Sequence, residues 1–228
     1  MKKTSLYILL ICSVFSCKDV NDLNGSWIIV DSQNEFQKEN TFYEVGMPPE
    51  NNIISFNDGT YKLLNSGFGV NPEQFEGVIQ VKRNSFLTGS SENGSEFKKV
   101  NSNIIKILST SSYAYPNKIT QTYRRIDDSL KHKSIDFSLV DKKYFRQYES
   151  YTDTVHFLND SIYTSSSWSG IDGNTFNYHR FEHNGFDILF TDKYPPFIIK
   201  NIVKDTIYIS TFSEEKEDYI MTKVLDNN

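Results

Sequence analysis

Cys17 is the residue with the most reactive chemistry in this chain. It closes an apolar run, Leu6 to Phe15, that follows Lys2 and Lys3, and small Ser16 stands directly before it. Only a thiol is nucleophilic enough at moderate pH to take a lipid, and a small residue ahead of it suits a peptidase subsite. The positive start, the apolar run and the small residue read as an export signal over residues 1–16. The run is shorter than the roughly 20 residues a helix needs to cross a bilayer. Cys12 lies inside it and leaves with it. With Cys17 modified, no thiol remains for a disulfide, a catalytic cysteine or a zinc thiolate.

Other candidate chemistry is sparser. His179 and His183 stand four residues apart, with Glu182 and Asp187 nearby. That spacing puts both imidazoles on one face of a helix or a strand, but a structural zinc site takes four ligands, so the pair is a weak metal candidate. No G-x-S-x-G, phosphate-loop or dinucleotide fingerprint is present. No catalytic residue and no cofactor is therefore assigned. Four tripeptides share the form Asp-(Ser/Thr)-aliphatic: Asp128-Ser129-Leu130, Asp153-Thr154-Val155, Asp160-Ser161-Ile162 and Asp205-Thr206-Ile207. An Asp in a turn followed by a strand start produces the same letters.

The elements that must position these residues are strands. One alanine, Ala114, occurs in 228 residues, against 14 Tyr and 17 Phe. Alanine is the best helix former, and β-branched and aromatic residues fit pleated surfaces. Short apolar or alternating runs predict strands at 27–30, 53–56, 61–64, 78–81, 104–108 and 119–123. The second half repeats the habit at 155–158, 162–164, 176–181, 186–190, 197–203, 206–211 and 219–224. Asp141 to Glu149 is the one segment that reads as a helix turn. Asn57-Asp58-Gly59 predicts a tight hairpin, Asn93-Gly94 a looser polar connection, and "TSSSWSGIDGN" (164–174) a hairpin tip. "ISFNDGTYKL" (54–63) and "VHFLNDSIYT" (155–164) share an Asn-Asp turn before an aromatic strand. The two halves thus read as a duplication with its boundary in residues 127–133. The formal charge of −5, which becomes −7 without Lys2 and Lys3, is spread without a basic block and disfavours nucleic acid as a partner.

Val14-Phe15-Ser16-Cys17 resembles the lipobox of bacterial lipoproteins. The resemblance implies that Cys17 takes diacylglycerol, that the chain is cut before it, and that the new amino group is acylated with a palmitate-type chain. Lys18-Asp19 and Asp22 resemble the short tag of Bacteroidota outer-membrane lipoproteins, with residues 17–23 as the tether. The Asp-(Ser/Thr)-aliphatic tripeptides resemble the O-glycosylation pattern of the same bacteria, which would place sugars on Ser129, Thr154, Ser161 and Thr206.

Leu23-Asn24-Gly25-Ser26-Trp27 resembles the opening of lipocalin-like domains in bacterial lipoproteins. In lipocalins a G-x-W motif closes the barrel floor and a late basic residue packs over the indole. Here this implies Gly25 and Trp27, with Arg124 or Arg125 as the cation. The fold so implied is all-β: two tandem small antiparallel lipocalin-like barrels, at 24–127 and, as a degenerate copy, at 134–226. An eight-stranded barrel is either filled by side chains or holds one small ligand. Trp27, Tyr61, Tyr163 and Trp168 are the candidate lining for an apolar or sugar-like ligand. The expected function is a lipid-anchored binding or interaction module of the cell envelope, outer-membrane held and facing periplasm or surface, with an envelope protein as the other candidate partner. The alternatives are an immunity or assembly-accessory lipoprotein with filled barrels, and an envelope hydrolase.

Overall fold

The computed structural model describes residues 23–36, 51–66, 72–82, 85–88, 95–111, 117–131, 136–147, 152–168, 175–192, 196–212 and 216–224. The expected export signal, Cys17, the expected tether up to residue 22 and Asn93-Gly94 lie outside the described residues.

The chain is all-β. Its first eight strands are β1 (Gly25–Phe36), β2 (Asn51–Asn57), β3 (Thr60–Ser66), β4 (Glu73–Lys82), β5 (Ser85–Thr88), β6 (Ser95–Lys99), β7 (Ile104–Ser111) and β8 (Asn117–Arg125). The second eight are β9 (Lys142–Gln147), β10 (Thr152–Phe157), β11 (Ile162–Ser165), β12 (Thr175–His183), β13 (Phe186–Thr191), β14 (Phe197–Val203), β15 (Thr206–Phe212) and β16 (Lys216–Lys223). Within each set of eight, each strand pairs antiparallel with the next. β8 returns to β1 and β16 to β9, so each set of eight closes into a barrel with no free edge. A 3-10 turn at Asp128–Leu130 lies between the two sets, capped by the Asp127 carboxylate, which accepts from the Ser129 N–H at 2.8 Å.

The tight turns follow from their residues. Asp58 (φ 45°) and Gly59 (φ 81°) join β2 to β3, and Asn184 (φ 51°) and Gly185 (φ 82°) join β12 to β13. Two successive positive φ values match the right-handed strand twist, and Asn, Asp and Gly adopt them most readily.

The segment expected to be a helix turn, Asp141 to Glu149, is a strand over Lys142–Gln147 instead. In β9 Tyr144 and Arg146 point inward and are buried, while Lys143 and Phe145 face solvent. Asp141, at φ 58°, makes the turn into it. The inward charge of Arg146 hides the two-residue period, because β9 matches an apolar alternation only once its partner is known. β5 and β6, also unforeseen, carry few large apolar residues each.

Three apolar clusters hold the molecule. The first fills the β1–β8 barrel around Trp27, Ile29, Phe56, Phe97 and Tyr123. The second fills the β9–β16 barrel around Tyr144, Phe157, Tyr163, Phe176 and Tyr178. Its rings meet mostly edge-on or tilted: Phe157 and Tyr178 have centroids 4.8 Å apart, Tyr163 and Phe176 5.5 Å. The third lies between the barrels, where Ile28, Ile53 and Leu64 on the outer wall of the first meet Phe186, Ile188, Phe190, Ile198 and Phe212 of the second. Strand β13 is consequently buried along its whole length, one face toward each core.

Candidate functional site

The first barrel's floor brings three of the sequence-predicted residues together. Gly25 opens β1 at φ 125°, and a Cβ there would sit 3.1 Å from the Arg125 guanidinium. Trp27 pairs directly with Arg125 across the β1–β8 ladder, and the guanidinium carbon lies 5.8 Å from the indole centroid. Such a cation over an indole contributes about 0.5–2 kcal/mol, depending on how dry it is. The indole N–H donates to the Leu23 carbonyl at 2.8 Å, which fixes the chain's approach to the floor. Arg124 sits opposite Ile28 and Ile104 and takes no part in this stack.

Beside the floor, where the two barrels meet, a chain of polar groups crosses the junction. Ser26 Oγ lies 2.7 Å from Ser55 Oγ, and Ser55 Oγ lies 3.2 Å from His183 Nε2. All three residues are buried, although Ser26 and Ser55 belong to one barrel and His183 to the other. Burial, aided by the charge of Lys62, pushes the His183 pKa down to about 4, so the imidazole is neutral near pH 7.

Ser26 and Ser55 form part of the wall of an open cleft of about 550 Å³, whose charged groups are Lys62, Arg125, Lys131 and Asp128. Arg125 and Asp128 also border a second cleft of about 360 Å³, which extends to Arg124.

A serine next to an imidazole raises the question of nucleophilic catalysis. A general base works best with a pKa near the working pH, and His183 lies far below neutrality. Among the described residues no carboxylate is hydrogen-bonded to its other ring nitrogen. The Ser26–Ser55–His183 chain is a polar cross-link between barrels.

The second barrel encloses its own charges. Arg146 on β9 and Asp153 on β10 form an ion pair with side chains 3% and 0% exposed. Asp153 also accepts from Ser165 Oγ at 2.9 Å, Ser166 Oγ at 2.9 Å and the Ser167 N–H at 3.1 Å. Burial alone raises the Asp153 carboxyl, but Arg146's hydrogen bond and charge, with the Ser165 and Ser167 bonds, outweigh it and hold the pKa below the usual range. Arg180 grips Asp187 at both carboxylate oxygens and also donates to the Phe137 carbonyl.

The remaining sequence-predicted residues are dispersed. Tyr163 is a core residue: the space beside it, shared with Arg146 and Met221, is about 10 Å³. That is room for one water at most, not for an apolar or sugar-like ligand. Tyr61 is half-buried and lies across Gly77, where a Cβ would meet its ring at 2.8 Å. Trp168 ends a 3-10 turn, and its side chain lies outside the described residues.

His179 and His183 share the outer face of β12, but His183 is engaged at the junction with Ser55. Among the described residues no three His, Cys, Asp or Glu gather as a metal ion requires. Ser129 is exposed, and Thr154, Ser161 and Thr206 are half-exposed. Three of the four tripeptides carry an Asp with a structural use: Asp128, beside the capping Asp127, lies in the inter-barrel turn, Asp153 is the buried counter-ion, and Asp205 pairs with Lys223 at 3.7 Å.

Sequence reasoning missed Ser55, His183 as its partner, Arg146, Asp153, Lys62 and Lys131. Only Arg146 left a trace, as a basic residue two positions from Tyr144 in a period-2 register.

No family model matches the sequence, and no curated protein matches it. Among solved structures the chain is similar to the crystal structure of a protein of unknown function from the DUF3598 family of Nostoc punctiforme. The identity is 12%, over 90% of this chain and 96% of that chain, with a TM-score of 0.31.

Proposed function

We propose that this protein is a lipid-anchored cell-envelope module made of two filled lipocalin-like barrels, which binds through its outer surfaces and not through a barrel cavity. The observation that carries the reading is the interior of the second barrel, where the space lined by Phe157, Tyr163, Phe197 and Met221 is about 10 Å³. The polar and charged groups instead border the open cleft at the junction. An exposed apolar row on the outer wall of the second barrel offers a further contact surface: Phe145, Ile220 and Tyr208, on the adjacent strands β9, β16 and β15, are each about 40% exposed. The stack of Gly25, Trp27 and Arg125 supports the lipocalin-like reading of the floor, and the lipobox-like residues before Cys17 support the anchor.

Two measurements test this. Titration of the mature protein with an apolar fluorescent probe such as cis-parinaric acid gives no saturable uptake; saturable uptake that quenches with Tyr163 replaced by Trp would overturn the filled-barrel reading. Cys17→Ser moves the protein from the membrane to the soluble fraction. A variant that stays with membranes and matures at the wild-type size removes the anchor.

A further inference from the structure

We infer that the junction cleft binds a compact oxyanion, a phosphoryl or sulfuryl group carried by a small polar molecule. The inference deepens the reading that this protein binds outside its barrels. It rests first on charge. The whole chain carries −5, yet Lys62, Arg125 and Lys131 converge on one cleft that, among the described residues, holds a single carboxylate, Asp128. The sign of the cleft therefore opposes that of the molecule, and such a concentration of cations with low-dielectric walls draws anions.

The existing partners of these cations are weak enough to be exchanged. Lys131 pairs with Asp128 at 2.7 Å and Lys62 with Glu76 at 3.8 Å, and all four side chains are more than 40% exposed. Exposed pairs of this kind contribute about 0–1 kcal/mol, so an incoming oxyanion displaces little. Arg125 supplies the planar fork suited to two oxygens at once, and its position is fixed by Trp27 and Gly25.

Size and lining set the ligand class. About 550 Å³ suits a small molecule and not a polymer. The wall between the cations is polar, with Asn24, Asn57, Thr60 and Asn184 among its groups, and Phe56 is the large apolar side chain among its described residues. The ligand is accordingly polar beyond its anionic group.

The origin of the groups adds a mechanical consequence. Lys62 and Arg125 belong to the first barrel, Lys131 to the segment between the barrels, and Asn184 to the β12–β13 turn of the second. An anion held among them bridges both barrels and resists their separation. A ligand that binds only the folded, joined state raises its stability by mass action.

The test is calorimetric titration of the full mature chain with sodium phosphate, with glucose 6-phosphate and with sodium acetate at constant ionic strength, beside thermal unfolding in the same solutions. Phosphate and glucose 6-phosphate bind saturably and raise the melting temperature, with acetate weaker. The Lys62→Gln, Lys131→Gln double variant, in which Lys131 also gives up its place 5.4 Å from the Phe186 ring centroid, binds at least tenfold more weakly while its circular dichroism spectrum stays that of the folded wild type. A wild type with no saturable response to either phosphate, or a double variant that binds as the wild type does, overturns the inference. Vesicles of phosphatidylglycerol against phosphatidylcholine form a further arm. Retention on the anionic vesicles alone, without phosphate binding, overturns the small-molecule ligand in favour of a membrane surface. Uptake of cis-parinaric acid into a barrel would defeat the wider reading independently, so the two failures are distinguishable.

Discussion

Asp153→Asn isolates the buried pair in the second barrel. The amide nearly matches the carboxylate in size but carries no charge, so Arg146, 3% exposed, is left inside the barrel without its counter-ion. Removing one partner of a buried pair costs about 3–5 kcal/mol, a large share of the roughly 5–15 kcal/mol that holds a typical domain folded. For a chain of this size each kcal/mol moves the melting temperature by about 2–4 °C, so the variant melts about 6–20 °C below the wild type.

The acceptor count points the same way. Asp153 takes bonds from Ser165, Ser166 and Ser167 besides Arg146, and an amide offers one oxygen for them. Urea unfolding followed by circular dichroism measures the loss. Arg146→Met with Asp153→Leu is the control: replacing a buried pair by apolar residues of similar volume is often neutral or stabilising, so this double variant recovers most of it.

The pH dependence has a definite sign. Asp153's folded pKa lies below its unfolded one, so its stabilising contribution is complete above the usual carboxylate range and is lost as pH falls through the folded value. Asp153→Asn lacks that acid limb. A single variant within about 1 kcal/mol of wild type, or a double variant as damaged as the single one, refutes the claim that the pair is held by burial and mutual charge.

His183 also makes stability depend on pH, because burial and the charge of Lys62 disfavour its protonated form in the folded state. Its folded pKa of about 4 lies below the ordinary 6.5, so the unfolded chain takes up the proton first and stability falls as pH drops between those values. Between about pH 7.5 and about pH 5 the wild type loses about 2 kcal/mol through this residue, and His183→Asn removes that dependence; an equal loss in both proteins refutes it. Gly25→Ala forces a β-carbon to a left-handed φ of 125° and to 3.1 Å from Arg125, costing about 1–3 kcal/mol by urea unfolding with a change in Trp27 emission. A silent Gly25→Ala would show that the floor is loosely packed. Peptides carrying Thr154 and Thr206, taken from the native host's protein, carry a sugar mass increment; unmodified peptides remove the glycosylation reading.

Most strands were legible because each buries one face and turns on Asn, Asp or Gly. β10 reads Asp-Thr-Val-His-Phe with Val155 and Phe157 inside, and Asp58-Gly59 marks the β2–β3 hairpin. β9 was not legible, since Lys-Lys-Tyr-Phe-Arg-Gln shows one apolar pair and a charge where the core should be. What makes Arg146 an inward residue is Asp153, paired to it across the β9–β10 ladder, and sequence periodicity carries no information about which charges neutralise each other. The choice between Arg124 and Arg125 was open for a related reason. It is decided by the register that sets Trp27 opposite Arg125, and a one-residue slip would have chosen the other.

The junction lay wholly out of reach of sequence reading, and its physical origin explains why. A closed barrel needs only an apolar interior, so outward residues are free to be polar. Here β1 and β2 spend outward positions on Ile28 and Ile53, and β13 is apolar on both faces. Those outward residues have no periodic reason to be apolar within their own barrel; their reason is the other barrel. Ser26, Ser55 and His183 occupy the same outer faces at the edge of that contact, 128 residues apart in the case of Ser55 and His183. Two convex walls can touch only along a strip, and beyond it they diverge. The cleft opens at that divergence, beside the floor that Gly25, Trp27 and Arg125 close, and docking adds Asn184 of the second barrel to a wall that holds Lys62, Arg125 and Lys131. Binding groups so placed respond to the docking of the barrels. Substitutions that loosen the strip, such as Ile53→Ser, therefore weaken phosphate binding without touching any residue of the cleft, and retention of full affinity in that variant, with the barrels shown to be parted, would separate the cleft from the docking that is argued to build it.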